Sequence, residues 1–255
     1  MSLLGVWVVK VGGALCEEEA ARWSLSESCA SLKAPLVIVH GGGRQASELQ
    51  RRLGGAPCFV EGRRVTTPEA LGAVEMALCG AVNKALVRDL IAAGRRAVGL
   101  SGCDGGVVRC SRVEGLGEVG SPEAVETSLL ETLLEAGFTP VVAPISLGPS
   151  GEAVNVNADE VACAVAAALH AERLLLLSDV PGVIDGGAAC AEIDPKQLRD
   201  LLARGEVSGG MVPKLKAASR AAASGVGDVV IGGFAGGSLA AVKGSRVVRA
   251  ARPVS

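Results

Sequence analysis

Short runs of apolar, largely β-branched residues alternate along the chain with longer stretches in which apolar positions recur every three or four residues. The runs predict strands at Val6–Val11, Leu36–Val39, Ala97–Leu100, Pro140–Ile145, Arg173–Leu177, Val229–Ile231 and Arg246–Val248. Successive rather than alternate residues are apolar in them, the pattern of strands buried on both faces. The longer stretches predict helices at about Arg44–Leu53, Pro68–Ala93, Pro122–Ala136, Ala158–Leu169, Pro195–Ala203 and Gly210–Ala223. Such alternation implies an α/β fold, a mostly parallel sheet with helices on both faces.

Local chemistry punctuates these helices. Thr67, Ser121 and Asp194 each precede a proline, a polar N-cap followed by proline at the first helical position. Gly94, Gly137 and Gly205 follow helical stretches as C-terminal caps. No repeat, low-complexity tract or flexible linker interrupts the 255 residues, so two lobes would have to share one sheet, with the division near Ala171.

Composition narrows the function classes. Hydrophobic residues make up 49% of the chain and charged residues 20%, which excludes disorder as the main state and provides one sizeable core or two modest ones. Lys and Arg number 25 against 27 Asp and Glu, and the only aromatic residues are two Trp and three Phe. Neither a clustered basic excess nor stacking platforms are on offer, so a constitutive nucleic-acid partner is not expected. No apolar run approaches the roughly 20 residues of a membrane helix. The segment MSLLGVWVVKVGGAL lacks a basic region before its apolar run and reads as a strand, so the expected location is cytoplasmic. The eight cysteines include no C-x-x-C, which leaves no zinc or dithiol motif and casts them as small buried hydrophobes.

Candidate chemistry sits at strand ends. Lys10-Val11-Gly12-Gly13 closes the first strand, and His40-Gly41-Gly42-Gly43 closes the second just before a helix. In parallel sheets ligands bind at the carboxyl ends of strands, where glycines let backbone N–H groups approach an anion. Each loop alone reads equally as a tight turn. Neither G-x-x-x-x-G-K-[ST] nor G-x-G-x-x-G occurs, so a phosphate-binding lysine has to come from elsewhere. Lys10, between Val9 and Val11, is costly to bury without an anion. Lys214, in Ser208-Gly209-Gly210-Met211-Val212-Pro213-Lys214, reads either as a second phosphate ligand or as an ordinary surface lysine. Asn155-Val156-Asn157-Ala158-Asp159 places three polar side chains two residues apart ahead of an Ala-rich helix. One of them suffices as a cap, and a carboxylate among them could hold nearby ammonium groups.

These motifs, with Gly62-Arg63-Arg64-Val65-Thr66, Val74-Glu75-Met76, Val82-Asn83-Lys84, Gly99-Leu100-Ser101-Gly102, Leu177-Ser178-Asp179-Val180-Pro181-Gly182 and Gly210–Lys214, occur in the order and spacing of the amino acid kinase superfamily. The chain resembles that superfamily along essentially its whole length. Within it, the likeness is greatest to the members that phosphorylate the γ-carboxylate of N-acetyl-L-glutamate in arginine biosynthesis. A variant acting on carrier-linked α-aminoadipate in lysine biosynthesis, and a catalytically silent amino-acid-binding regulator, are the competing readings.

The resemblance implies a three-layer αβα sandwich around a mostly parallel central sheet shared by two lobes. Residues 1–170 would bind the acyl amino acid and dimerise, and residues 171–255 would bind ATP. It implies that Lys10 and Lys214 approach the transferred phosphoryl group from opposite lobes while Asp159 orients both. Gly41 and Gly42, through their N–H groups, together with Arg64, Asn155 and Asn157, would hold the acyl substrate. Gly12, Gly13, Gly43, Ser178, Asp179, Gly182, Ser208 and Gly210 would hold ATP, with Mg2+ on its phosphates and no dedicated protein metal ligand. His40 is expected to be structural, and the assembly to be a homodimer.

Overall fold

The computed structural model describes residues 4–249. Eight strands form one sheet in the order Glu192–Ile193, Ser245–Val247, Asp228–Gly233, Arg173–Ser178, Trp7–Val11, Leu36–His40, Thr139–Ala143 and Ala97–Ser101. Neighbours are parallel except where Asp228–Gly233 meets Ser245–Val247. Side chains of opposite parity feed two cores. Val8, Val37, Val39, Leu174 and Leu176 face one of them, and Val9, Val11, Ile38, Leu175 and Leu177 face the other. That is why the central strands read as unbroken apolar runs.

Helices cover both faces. Ser128–Glu135, Ala158–Ala168, Pro195–Ala203 and Met211–Ala223 close the first core through residues such as Leu130, Val161, Leu198 and Leu215. Glu19–Ser31, Gly43–Arg52 and the helical run from Pro68 to Ala92 close the second through Leu25, Ala46, Val74 and Leu86. The result is the expected αβα sandwich. The sheet crosses Ala171 without a break, because Arg173–Ser178 pairs with Trp7–Val11.

Several sequence-based expectations need correction. The helix expected from Pro122 starts at Ser128, and Ser121 and Pro122 lie in the strand Val119–Val125. Pro122 pairs with Cys110 beside a register shift in the partner strand, a place where a missing N–H is tolerated. Pro144 splits the run expected at Pro140–Ile145, ending Thr139–Ala143 before Ile145–Leu147 joins a second, four-stranded closed sheet with Val108–Arg112, Val119–Val125 and Ala153–Val156. The helix at Pro68–Ala93 contains a π-helical segment, Met76–Val82, between Pro68–Glu75 and Asn83–Ala92. Pro68–Ala92 is also the one described helix whose length and composition would suit a bilayer, yet its Val74, Leu86 and Leu90 are in the core. Thr67 and Asp194 cap as expected, and Gly94, Gly137 and Gly205 adopt the left-handed backbone that ends a helix. Cys16, Cys29, Cys110 and Cys163 are buried hydrophobes, whereas Cys58 is exposed on the outer strand of the hairpin Cys58–Val60/Arg63–Val65.

Candidate active site

Three charges converge at the carboxyl end of the sheet. Lys10 extends from the central strand, Asp159 from the first turn of Ala158–Ala168, and Lys214 from Met211–Ala223. Asp159 Oδ1 lies 3.1 Å from Lys10 Nζ and accepts a hydrogen bond of 2.8 Å from Lys214 Nζ. Asn157 caps the helix, its Oδ1 accepting from the N–H of Asp159 at 2.8 Å and of Glu160 at 3.4 Å, which fixes the backbone that presents Asp159. A Cβ on Gly12 would stand 2.6 Å from Lys10 Nζ, so glycine is what lets the ammonium fold over the loop.

Burial opposes ionisation of Asp159, but attraction and hydrogen bonding from the two lysines outweigh it and hold its carboxyl below the usual range. Burial, with repulsion from Lys10 adding, lowers Lys214, while Asp159 holds Lys10 up against its own burial. Two ammonium groups facing one carboxylate leave an unmatched positive charge in a desolvated place. An anion completes the set.

Next to this triad is a cavity of about 150 Å³ walled by Gly41–Gly43, Arg64, Asn155 and Asn157, with Phe59, Leu78 and Val156 as its apolar side. All five expected acyl-substrate residues therefore line one space, and Gly43, expected on the ATP side, joins them. Arg64 is only 8% exposed and makes no ion pair among the described residues. Its guanidinium donates to Gln50 Oε1 (2.9 Å), Gly43 C=O (2.9 Å) and Ser47 Oγ (2.6 Å) and lies over the Phe59 ring. Neutral acceptors thus aim the fork without cancelling its charge, as a carboxylate receptor requires. Asn155 donates to Thr66 Oγ1 at 3.1 Å.

The glycine loop also departs from expectation at Gly41. Gly41 N–H donates to Val11 C=O at 2.8 Å, extending the Val11–His40 register by one bond, so it forms wall and contributes no free donor to the acyl substrate. Gly42 has φ of 144° and a Cβ there would meet Leu78 Cδ2 at 2.8 Å. His40 is structural, as expected. Its Nδ1–H donates to Gly41 C=O (2.8 Å) and its Nε2 accepts from Asn83 Nδ2 (3.1 Å), and burial pushes its pKa down to about 4.

The residues expected at ATP are brought together in part. Gly13, at φ of 54°, faces the Asp179 carboxylate, whose Cγ lies 2.8 Å from where a Cβ would be. Ser178 ends the strand leading there. Gly182 instead packs on Ser245, whose Oγ accepts from Val183 N–H at 2.8 Å; contact with this strand accounts for the glycine. Ser208 and Gly210 are exposed ahead of the Lys214 helix, with the Gly210 backbone 3.3 Å from the Cβ position of Gly62. No group of three or more His, Cys, Asp or Glu that could hold a metal occurs among the described residues, and both lysines occupy Asp159. This donor set suits a divalent cation carried by phosphates more than one caged by protein.

Phe59, Ser47, Gln50 and Glu160 escape the sequence reading, and Arg63 stands in the Gly62–Thr66 motif there without an assigned role. A signal existed for two of them: Ser47 and Gln50 share a face with Ala46 on an otherwise charged helix, so polar side chains occupy its buried stripe.

Residues 5–233 match the Amino acid kinase family. The chain is 47% identical over 243 residues to the acetylglutamate kinase of Rubrobacter xylanophilus, covering 94% of each chain. It is 44% identical over 223 residues to the acetylglutamate kinase of Roseiflexus sp., covering 86% of this chain and 85% of that one. The crystal structure of smu.665 from Streptococcus mutans UA159 has a TM-score of 0.85 and 29% identity, covering 95% of this chain and 98% of that one.

Proposed function

The chain belongs to the amino acid kinase family, and from that premise we propose that it transfers the γ-phosphoryl group of ATP to the γ-carboxylate of N-acetyl-L-glutamate, the carboxyl-phosphorylating step of arginine biosynthesis. The observation that carries this reading is the Lys10–Asp159–Lys214 set beside a cavity whose buried arginine has no acid partner among the described residues.

Transfer of this kind needs alignment and charge neutralisation more than covalent chemistry. Arg64 takes the α-carboxylate, with Asn155 and Asn157 fixing the same end of the substrate, and the γ-carboxylate then points toward Lys10. That carboxylate is already ionised at pH 7, so no general base is required. Its oxygen forms a bond to the γ-phosphorus as the bond from that phosphorus to the β,γ-bridging oxygen breaks, giving the acyl phosphate and ADP. Lys10 and Lys214 neutralise charge spread over the equatorial oxygens. Asp159 holds the two ammonium groups apart from each other and aimed at the same point. The backbone of Gly12, Gly13 and Gly43 approaches the phosphates, and Ser178, Asp179, Ser208 and Gly210 form the nucleotide side. Mg2+ bound to ATP supplies further charge neutralisation on the phosphates.

In the same reading residues 1–170 form the acyl-substrate lobe, residues 171–255 form the nucleotide lobe, and two copies pair in the cytoplasm. ADP release measured with ATP and, separately, N-acetyl-L-glutamate, glutamate, aspartate and α-aminoadipate tests the substrate. Turnover of the acetylated substrate alone is expected. Equal use of free glutamate would overturn the assignment, and no turnover with any of them would favour a carrier-linked substrate.

A further inference from the structure

The hairpin Cys58–Val60/Arg63–Val65 walls the acyl-substrate cavity, and among the described residues its strands pair only with each other; backbone bonds to the rest of the fold begin at Thr66, whose N–H donates to Leu116 C=O at 2.9 Å and whose C=O accepts from Glu118 N–H at 2.7 Å. Ahead of Thr66, side chains hold it in place. Arg64 ties it to Gly43–Arg52 through Gln50, Ser47 and Gly43 C=O. Its neighbour Arg63, on the opposite face of the strand, donates from Nη2 to Glu160 Oε1. Glu160 is next to Asp159 in the first turn of Ala158–Ala168, and its side chain is only 2% exposed. Arg220, on the helix that carries Lys214, is 3.9 Å from the same oxygen. Glu160 Oε2 is buried and has no partner among the described residues.

A buried carboxylate with one oxygen unsatisfied is a poor device for stability, because apolar residues of the same volume do as well or better. Its position is informative instead. It lies where the substrate hairpin, the Asp159 helix and the Lys214 helix meet.

We propose that Glu160 is a positioning residue for acyl-substrate binding: through Arg63 it pins the hairpin that presents Arg64, and through Arg220 it registers that hairpin with the helix that presents Lys214. This rests on the reading of the cavity as the acyl-substrate site. Glu160 touches no reacting atom, so its loss acts on the placement of Arg64 and leaves the lysine pair in place. The largely buried guanidinium of Arg63, freed from its partner, no longer fixes the edge of the wall.

Three variants, Glu160→Gln, Arg63→Met and Arg63→Lys, and the double variant Glu160→Gln/Arg63→Met test this by steady-state kinetics and by amide hydrogen exchange. Glu160→Gln and Arg63→Met should each raise KM for N-acetyl-L-glutamate about tenfold, the scale of one charge-assisted hydrogen bond, with kcat and KM for ATP changed less than about threefold. The double variant should be no worse than either single one, and Arg63→Lys should recover part of the loss. Amides of residues 58–65 should exchange faster in both single variants, while those of Trp7–Val11 stay unchanged. Unchanged KM, additive losses, or a fall confined to kcat would overturn the proposal. Should the wild-type protein turn over no acyl amino acid, the proposed function fails on its own terms. Unchanged exchange at residues 58–65 would then overturn this inference separately.

Discussion

His40 offers the sharpest link between a buried contact and a bulk property. It ends a central strand, is 0% exposed, and uses both ring nitrogens as a neutral imidazole: Nδ1–H donates to Gly41 C=O and Nε2 accepts from Asn83. A second proton would place an N–H against the Asn83 amide donor, which itself is held by Val141 C=O at 2.8 Å. Burial, with the Lys84 charge adding, brings the folded-state pKa from 6.5 to about 4. Between these values the unfolded chain binds a proton that the folded chain refuses, so stability falls as pH falls through this window. The full difference is worth about 3 kcal/mol, of which about 2 kcal/mol is lost between pH 7 and pH 5. Urea unfolding of the wild type and of His40→Gln at pH 7, 6 and 5 isolates this contribution, since carboxylates titrate in both proteins and cancel in the comparison. The wild type should lose about 2 kcal/mol more than the variant over that range. Parallel pH profiles would refute the reasoning, showing that His40 takes up its proton in the folded protein as readily as in the unfolded one.

Other outcomes follow from the site. Lys10→Ala and Lys214→Ala should each lower kcat by roughly 10²- to 10³-fold in steady-state assays, the loss of one preorganised transition-state donor; less than about threefold for both would remove them from the mechanism. Arg64→Ala should raise KM for the acyl amino acid by about tenfold or more with a smaller effect on kcat, because its contact is made in ground and transition states alike. Gly13→Ala should raise KM for ATP by at least about tenfold, since its φ of 54° and the Asp179 carboxylate leave no room for a Cβ; wild-type KM for ATP would show that this loop does not approach the nucleotide.

The central sheet was legible because burial on both faces writes continuous apolar runs such as Leu174–Leu177, and the helix starts at Thr67 and Asp194 were legible because cap and proline act locally. The small closed sheet was not, since its strands are short and mixed. In VGSPEAV the local signal of Ser121-Pro122 favours a helix start, and tertiary pairing with Val108–Arg112 overrides it. In the site, Lys10 stood out by residue type in an apolar strand, whereas Arg64 was reached through the family resemblance of its motif. The Lys214–Asp159 contact spans 55 positions and the Arg63–Glu160 contact 97. Neither spacing carries a local periodicity, so only the fold reveals that Glu160 Oε1 faces both Arg63 and Arg220. Gly182 illustrates the reverse case, a motif glycine for which packing on Ser245 is already a sufficient reason.

The most direct measurement is to run the reaction with ATP, Mg2+ and N-acetyl-L-glutamate in hydroxylamine and to identify the trapped product by mass spectrometry. Phosphoryl transfer to the side-chain carboxylate predicts the γ-hydroxamate of N-acetylglutamate, formed in step with ADP and lost in Lys10→Ala and Lys214→Ala. ADP released without any hydroxamate, or a hydroxamate at the α-carboxyl that Arg64 should be holding, would contradict it.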